Sequence, residues 1–328
     1  MNSFGKNFRV QILGQSHGEY VGIVIDGCPP GIGIAPEDFK EDIDRRKPGA
    51  KGTTPRKEDD VPEIISGVFN GKSAGSPITI LFKNSNTRSG DYEKQRAVPR
   101  PGHADFVAHK KFNGFEDYRG GGHFSGRLTV ALVAAGVVAK KVIESYSADK
   151  KIQINSTILE IGGEKDLEKG LQKAIEAKDS VGGIVECRVT NLPIGLGEPF
   201  FDSAESLLSH AVFSIPAVKG IEFGAGFAAA KMFGSDHNDS LINADGTTAT
   251  NNAGGIVGGI TNGNDLIFRI VVKPTSSTSK EQQTLNVETG TVEPFSVKGR
   301  HDLCIALRVP VVLEAVTAIV LADLLAQK

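Results

Sequence analysis

Apolar side chains recur along this chain with two different periods, and each period predicts a different element. Runs in which apolar positions alternate with polar ones, or in which β-branched residues are bounded by turn residues, are typical of strands. These runs predict strands over Phe8–Leu13, Tyr20–Asp26, Glu63–Val68, Pro77–Phe82, Ile152–Ile161, Gly183–Thr190 and Leu266–Lys273.

Apolar positions three and four residues apart predict helices instead. This spacing predicts helices over Pro36–Arg46, Arg127–Tyr146, Leu167–Lys178, Ala204–Phe213 and Pro310–Ala326. Pro36 and Pro310 suit a first helical position, because proline there lacks only an N–H that would have no helical partner. The elements do not alternate strictly as β-α-β-α, so a doubly wound parallel sheet is not expected and the predicted fold class is α+β.

Two pairs of glycine-rich segments resemble each other across the chain. GIVIDGCPPGIG (22–33) resembles GGIVECRVTNLPIGLG (182–197), and SGVFNGKSAGSPITILFKN (66–84) resembles GGIVGGITNGNDLIFRIVVKP (254–274). These pairs predict that residues 1–328 form a single domain of two duplicated halves, about 1–150 and 151–328, related by a pseudo-twofold axis. The alternative is that glycine-rich turns between apolar strands look alike by chance.

The composition is that of a soluble globular protein, with 39% apolar and 23% charged residues in a chain of 328. A net charge of −2 gives no general attraction to nucleic acid or to a membrane surface. The three cysteines, Cys28, Cys187 and Cys304, form no CxxC pair, so neither a disulfide framework nor a metal site is expected. No signal-peptide pattern opens the chain, and its longest apolar stretch, Leu128–Ala139, is shorter than the ~20 residues of a membrane span. A cytoplasmic protein is therefore expected.

Five short motifs combine glycine or proline with arginine, histidine, aspartate or serine: GQSHG (14–18), RPGHAD (100–105), GGGHFSGR (120–127), KPTSS (273–277) and GRHD (299–302). Core packing does not explain them, since a core favours apolar residues and a solvated face favours lysine and glutamate. Arginine beside histidine in glycine-flanked turns is typical of an anion site, because guanidinium groups bind carboxylate and phosphate while imidazole transfers protons.

In this order, the five motifs resemble those of the chorismate synthase family. The resemblance runs from FGKNFRVQILGQSHG to RHDLCIALRVPVVLEAVTAIVLADLL and covers essentially the whole chain. It implies a lyase of the shikimate pathway, which serves aromatic amino acid biosynthesis. The implied reaction is the 1,4-anti elimination of phosphate from 5-enolpyruvylshikimate 3-phosphate, which gives chorismate and requires reduced FMN without net oxidation. The implied fold is a layered β-α-β sandwich with internal pseudo-twofold symmetry, assembled as a homotetramer.

The resemblance also implies roles for individual residues. Arg46, Arg100 and Arg127 would bind the anionic groups of the substrate. The flavin would contact a larger set drawn from several parts of the chain: His123, Phe124, Ser125, His237, Asn238, Gly258, Lys273, Pro274, Thr275, Ser276, Ser277 and Arg300. Lys273 and its neighbouring hydroxyls are suitable phosphate partners on chemical grounds alone.

Proton transfer is assigned by the resemblance to three residues. His17 would protonate the departing phosphate, His103 would manage the proton on the pyrimidine side of the flavin, and Asp302 would take the proton from flavin N5. A single turn histidine is more simply explained as a surface residue, but two of them lie in motifs that match one family. The chain departs from the commonest family pattern at Gln15, where glutamate is usual, and in GGGHFSGR, where GGGRSSAR is frequent.

Two other functions are compatible with the same residues. A flavin-dependent oxidoreductase would use FMN for net redox chemistry, and a non-catalytic protein would bind a phosphorylated ligand without changing it. The segment GAGFAA (224–229) imitates a dinucleotide-binding motif but lacks the acidic residue about 20 positions further on. The chain therefore carries no sign of its own flavin reductase, and an external flavin reductase or reductant is expected.

Overall fold

The computed structural model describes residues 2–54, 59–85, 96–146, 150–297 and 301–327. In these residues the strands are β1 (Ser3–Phe4), β2 (Arg9–Gly14), β3 (Tyr20–Asp26), β4 (Glu63–Ser66), β5 (Val68–Phe69), β6 (Lys72–Ser73), β7 (Ile78–Lys83), β8 (Gln153–Ile161), β9 (Gly183–Thr190), β10 (Val218–Phe223), β11 (Ile256–Val257), β12 (Ile260–Thr261), β13 (Leu266–Val272), β14 (Gln282–Leu285) and β15 (Val292–Phe295). The α-helices are α1 (Lys40–Arg46), α2 (Asp105–Lys111), α3 (Thr129–Tyr146), α4 (Leu167–Ala177), α5 (Ala204–Val212), α6 (Gly234–His237) and α7 (Val309–Leu325). Turns of 3₁₀ helix cover Pro36–Phe39, Arg119–Phe124, Gly126–Leu128, Phe200–Asp202, Gly226–Lys231 and Ile305–Arg308.

Two antiparallel sheets form the outer layers of the molecule. The first has the strand order β1-β2-β3-β7-β4, and the second has the order β10-β13-β9-β8. Within the first sheet, Ile23 of β3 lies between Ile12 of β2 and Ile80 of β7. Ile23 and Ile80 are fully buried, because the inner face of this sheet is covered by helices.

The long helices α3 and α7 form the middle layer. Helix α3 packs on β3 and β7 of the first sheet, and α7 packs on β8 and β9 of the second. The two helices cross at Gly136 and Ala315, where a Cβ on Gly136 would lie 2.4 Å from the Ala315 Cβ. Glycine is needed there because any side chain would force the helices apart. The layers therefore run sheet, helix, sheet, which confirms the predicted β-α-β sandwich.

The two sheets share one topology. The order β2-β3-β7-β4 in the first corresponds to β8-β9-β13-β10 in the second. Each sheet also has a short hairpin, β5–β6 or β11–β12, inserted before its β7 or β13 strand, and each is followed by one long core helix. This repeated order agrees with internal pseudo-twofold symmetry. The origin of the halves by duplication, with a boundary near residue 150, stays a prediction that the shared order supports.

The segment Ile305–Leu325, which contains α7, is long and apolar enough to cross a membrane by length and composition. The uninterrupted apolar stretches considered in the sequence, such as Leu128–Ala139, did not include this segment, because it contains Arg308, Glu314 and Asp323. However, 78% of its most apolar window is buried inside the fold. Its two acidic residues, Glu314 and Asp323, are buried and hydrogen bonded, as the core helix of a globular protein requires.

The predicted elements agree with the structure except in a few places. The predicted strand Glu63–Val68 ends at Ser66, because Gly67 has a φ of 83° and breaks the ladder. Strand β10 and helix α2 were not predicted, and neither were the short elements β1, β6, β11, β12, β14, β15 and α6. The sequence of β10, VKGIEF, has a glycine and two charged residues that obscure its alternation. Pro310 lies second in α7, one position later than expected, since the helix begins at Val309.

Candidate active site

A cavity of about 430 Å³ brings residues from four of the five motifs together. Its floor is formed by the start of α7, and its walls come from α1, the start of α3 and the segment after β13. The lining consists of Arg46, Arg100, Gly102, His103, Ala104, Gly120, Phe124, Ser125, Gly126, Thr129, Ile215, Pro216, Ala217, Lys273, Pro274, Thr275, Ser276, Ser277, Asp302, Ile305, Arg308, Val309 and Val312.

A buried ion triad lies at one end of the cavity. Asp60 receives a hydrogen bond from Arg46 Nη2 at 2.7 Å and another from Arg127 Nη1, so a single carboxylate bridges two guanidinium groups. All three side chains are buried. Burial alone would raise the pKa of Asp60, but the two arginines outweigh it and hold that pKa below its usual value. Two positive charges therefore share one internal negative charge.

Each arginine of this triad keeps one unused donor. Among the described residues, no acceptor lies within hydrogen-bond distance of Arg46 Nε or Arg127 Nη2, although both atoms are buried. Burial lowers the pKa of Arg46 most strongly, and the nearby charges of Arg308 and Arg127 lower it further. A buried cation with an unsatisfied donor is costly unless a ligand completes its bonding. Arg46 lines the cavity, whereas Arg127 is not among the lining residues and is linked to the cavity through Asp60 and Arg46, so the predicted binding of substrate by Arg127 stays a prediction.

A second charged cluster joins Arg100, His103 and Asp105. Arg100 donates from Nε to Asp105 Oδ2 at 2.7 Å and from Nη2 to Asp105 Oδ1 at 2.8 Å, which is a two-point ion pair. His103 Nδ1 lies 2.6 Å from the same Asp105 Oδ1. Arg100 Nη1 also donates to Ser277 Oγ at 3.2 Å, so this cluster is tied to the KPTSS segment.

The residues of KPTSS form a polar wall. Lys273 Nζ donates to Ser276 Oγ at 2.6 Å and to the Gly102 carbonyl at 3.0 Å. Partial burial lowers the pKa of Lys273, and the charge of Lys219 lowers it further. Thr275 Oγ1 is buried and has no hydrogen-bond partner among the described residues. This wall therefore combines a cation and hydroxyls, as expected of a phosphate site.

His17 lies immediately behind the cavity and is not part of its lining. It is only 6% exposed, whereas the sequence predicted a residue at the surface or in a cleft. Gly120 lines the cavity and covers the ring, since a Cβ on Gly120 would lie 2.4 Å from His17 Cδ2. The GQSHG turn is anchored by Asn84, which donates to the carbonyls of Gln15 and Gly18.

Asp302 and Arg308 occupy the opposite wall. Asp302 Oδ1 accepts the backbone N–H of Thr54 at 2.7 Å, and Asp302 Oδ2 lies 3.3 Å from Arg308 Nη1. Arg308 Nε donates to the carbonyl of Arg46 at 2.9 Å, which connects the start of α7 to the end of α1. Arg308 is thus a cavity cation that the sequence analysis did not identify.

The segment 123–125 separates this cavity from two neighbouring ones. His123 bridges the Gly14 carbonyl at 2.9 Å and Asn2 Oδ1 at 3.1 Å, and it lines a neighbouring cavity of about 380 Å³. Phe124 is 40% exposed and also borders a cavity of about 390 Å³. Ser125 Oγ accepts the N–H of Arg127, which begins the turn that leads into α3.

Some predicted contacts lie elsewhere. His237, Asn238 and Gly258 are not among the residues that line this cavity or either neighbouring one, so their contact with flavin stays a prediction. Arg300 lies outside the described residues. Within residues 2–54, 59–85, 96–146, 150–297 and 301–327, no group of three metal-ligating side chains is suitably placed for a metal ion.

The structure adds Asp60, Asp105, Arg308, Pro216 and Ala217 to the site. The sequence does not distinguish Asp60 from its neighbours, because it lies in the charged run PRKEDD (55–60) and such runs are usually solvated surface. Ala217 has a φ of 73°, an unusual conformation for alanine that no sequence pattern indicates. Backbone strain of this kind is frequent at functional sites.

This cavity has the side chains of an enzyme that acts on a small anionic substrate. It is an enzyme-like cavity with arginines, a lysine, hydroxyls and a histidine–aspartate pair, suited to a small polyanion and to proton transfer. A family model described as chorismate synthase matches residues 8–326. A chorismate synthase of Chitinophaga pinensis is 68% identical over 323 residues, covering 98% of this chain and 96% of the relative. One from Methanocaldococcus jannaschii is 42% identical over 364 aligned positions, covering 99% and 96%.

A crystal structure of chorismate synthase is similar over 98% of this chain and 92% of its own, with 26% identity and a TM-score of 0.74. The chain therefore belongs to the chorismate synthase family.

Proposed function

We propose that the chain is a chorismate synthase that eliminates phosphate from 5-enolpyruvylshikimate 3-phosphate to give chorismate. The proposal is carried by two buried arginines, Arg46 and Arg127, which share the carboxylate of Asp60 and each have a buried N–H without an acceptor among the described residues. Arg46 lines the cavity, and Asp60 links it to Arg127. A substrate with two carboxylates and a phosphate supplies the acceptors that these donors lack. Arg100, on the same cavity, would complete the grip on the substrate.

Reduced FMN is the cofactor that we propose for this cavity. Lys273 has no carboxylate partner among the described residues, and the hydroxyls of Thr275, Ser276 and Ser277 lie beside it. The buried, unpartnered Thr275 Oγ1 fits a phosphate oxygen as its missing partner. Pro274, Phe124 and Ser125 line the same cavity, and His123, which lines the neighbouring 380 Å³ cavity, would reach the flavin from that side. When bound, reduced FMN would supply electron density to the allylic system of the substrate.

The proton carriers that we propose are His17, His103 and Asp302. His17 packs behind Gly120, which lines the cavity, so residues 120–122 would have to shift for the ring to reach a leaving phosphate. His103 lines the cavity and is backed by Asp105. Asp302 lines the cavity with Oδ2 3.3 Å from Arg308 Nη1, and it would be the proton acceptor on this side.

The proposal includes a homotetramer in the cytoplasm, supplied with reduced flavin by an external reductase or reductant. Several large aromatic side chains are strongly exposed in the single chain, which supports burial against further copies. They include Phe200, Phe201, Phe227 and Phe233, at 88%, 93%, 83% and 79% exposure. Size-exclusion chromatography with light scattering measures the assembly directly.

One anaerobic assay tests the function. Purified protein is mixed with 5-enolpyruvylshikimate 3-phosphate and a small amount of dithionite-reduced FMN, and phosphate and chorismate are measured against reductant consumed. We expect many turnovers for each reduced flavin. Consumption of one reductant per product would indicate a flavin-dependent oxidoreductase. Tight substrate binding without any product would indicate a non-catalytic binding protein.

A further inference from the structure

The contact between His103 and Asp105 determines which ring nitrogen of His103 carries a proton. His103 Nδ1 and Asp105 Oδ1 are 2.6 Å apart. Burial opposes ionisation of Asp105, but hydrogen bonds from Arg100 and His103 outweigh it and hold its pKa well below the usual range. Asp105 is therefore a carboxylate, which only accepts hydrogen bonds. A contact this short between a carboxylate oxygen and a ring nitrogen needs a proton on that nitrogen.

The opposite edge of the His103 ring, which carries Cε1 and Nε2, faces Gly121. A Cβ on Gly121 would lie 3.4 Å from His103 Nε2 and 3.3 Å from its Cε1. His103 lines both the 430 Å³ cavity and the adjoining one of 390 Å³, and Gly121 lines the latter, so the ring lies between the two cavities with its Nε2 edge beside Gly121. With the proton on Nδ1, the neutral ring has an unprotonated Nε2 on this side.

We propose that Asp105 is a positioning residue that holds His103 in its Nδ1–H form, so that Nε2 is the atom that accepts and returns a proton in the cavity. The inference rests on the proposed function for the identity of the reaction, but the proton position on His103 does not depend on it. Arg100 has a second part in this arrangement. Its two-point ion pair fixes the carboxylate plane of Asp105 and directs Oδ1 at the ring.

The competing arrangement is that Arg100 Nη2, which lies 3.1 Å from His103 Nδ1, donates to that nitrogen. His103 would then carry its proton on Nε2. In that case two lone-pair-bearing atoms, Nδ1 and Asp105 Oδ1, would face each other at 2.6 Å. Arg100 Nη2 has two N–H bonds, one directed at Asp105 Oδ1 at 2.8 Å and a second that could reach Nδ1, but this second bond would not remove the repulsion between the two lone pairs at 2.6 Å. The Nδ1–H form therefore satisfies more of the cluster.

The first test is spectroscopic and uses the unmodified full-length protein. The seven histidines are labelled with ¹⁵N in the ring, and the His103 signals are assigned by their loss in His103→Gln. Protonated and unprotonated ring nitrogens have well-separated ¹⁵N shifts, so the spectrum reports the form directly. We expect a protonated Nδ1 and an unprotonated Nε2 in the neutral ring. The reverse assignment would overturn the proposal, whether or not the protein makes chorismate.

The second test is Asp105→Asn. Each carboxylate oxygen accepts two donors, Oδ2 from Arg100 N and Nε and Oδ1 from Arg100 Nη2 and His103 Nδ1. The backbone N–H and the guanidinium Nε are fixed donors, whereas the imidazole can move its proton to the other nitrogen, so the amide oxygen of asparagine is best placed at Oδ2. The NH₂ group then faces His103 Nδ1, which must become an acceptor and move the proton to Nε2. We expect that change in the ¹⁵N spectrum and a fall in kcat within the 10²–10⁴-fold range of general acid–base steps, at unchanged flavin affinity.

Two further variants control this experiment. Asp105→Glu keeps a carboxylate acceptor, so it is expected to keep the Nδ1–H form and to recover part of kcat. Glu116→Gln alters a similar pair, His109 Nδ1 and Glu116 Oε1 at 3.1 Å, that lies outside the 430 Å³ cavity. Glu116 lines the adjoining 390 Å³ cavity, so this variant controls the spectrum and is expected to leave the His103 ¹⁵N signals unchanged. If Asp105→Asn moves the proton but turns over like the unmodified protein, the positioning role is wrong; if the unmodified protein has no lyase activity, the proposed function fails instead.

Discussion

Gly120→Ala offers the sharpest test of how the site is built, because it adds one carbon atom and no charge. Gly120 has φ 60° and ψ 21°, a left-handed conformation that costs an L-residue about 1–2 kcal/mol. The new Cβ would lie 2.4 Å from His17 Cδ2 and 2.5 Å from Nε2, whereas ordinary contacts begin near 3.4 Å. The ring or the glycine segment must therefore shift by about 1 Å.

The shift cannot be absorbed cheaply, because His17 is almost fully buried. Overpacking of this kind costs about 1–3 kcal/mol. Together with the backbone conformation, Gly120→Ala should lower the free energy of unfolding by about 2–5 kcal/mol. A displacement of about 1 Å in a proton-transfer group can also lower the rate on the order of 10²-fold. Affinity for the substrate should change less, since no arginine is altered.

The matched control is Gly126→Ala in the same motif. No heavy atom of the described residues would lie within 4 Å of a Cβ on Gly126, and the φ of Gly126 is not positive. Gly126→Ala should change the free energy of unfolding by no more than about 1 kcal/mol. The expected sign is stabilising, because alanine restricts the unfolded chain more than glycine does. Urea denaturation measures both variants, and anaerobic turnover measures kcat of Gly120→Ala. Stability and kcat of Gly120→Ala that match those of the unmodified protein would refute the packing of Gly120 on His17.

Three other predictions follow from the same structure. Arg127→Ala should weaken substrate binding, measured by calorimetry, by about 2–5 kcal/mol. It should also destabilise the fold, because it breaks a buried ion pair with Asp60. A substrate affinity equal to that of the unmodified protein would remove Arg127 from the site. Gly136→Val should lower the melting temperature by separating α3 from α7, since its Cβ would meet Ala315, and an unchanged value would contradict that crossing. The pKa values of Asp60 and Asp105 are lowered on folding, so their contribution to stability is present above about pH 4 and is lost as the pH falls through the folded pKa; urea titrations at several acidic pH values should show this decline.

The layered architecture could be predicted in large part from local patterns. Strands such as Tyr20–Asp26 and Gly183–Thr190 are bounded apolar runs, and the structure has both at those bounds. The long helices were predicted within a residue or two, because their apolar positions dominate the sequence. The edge strand β10 was missed, since an edge position tolerates the glycine and charges that weaken its pattern.

The sequence predicted a site residue only where the residue type itself indicates the chemistry, as for arginine and histidine in glycine-flanked turns. Arg45 and Arg46 illustrate the limit, because both end the same helix. Arg45 binds Glu314 of α7 with two bonds of 2.7 Å, a purely structural pair, whereas Arg46 points into the cavity. One residue of difference rotates a helical side chain by about 100°, so only the packing of α1 decides which arginine is functional. Asp60 shows the same limit, since its partner Arg127 is 67 positions away.

The repeated topology also explains why the anion site lies where it does. Each half ends in a long core helix, and both helices begin at the same cavity: Thr129 starts α3, Val309 starts α7, and both residues line it. An arginine comes shortly before each start, Arg127 in one half and Arg308 in the other. Helix N-termini carry partial positive charge and unused N–H groups, so two of them directed at one cavity favour anions before any side chain contributes. The pseudo-twofold arrangement thus concentrates positive potential at the meeting point of the halves, where a substrate with three anionic groups needs it most.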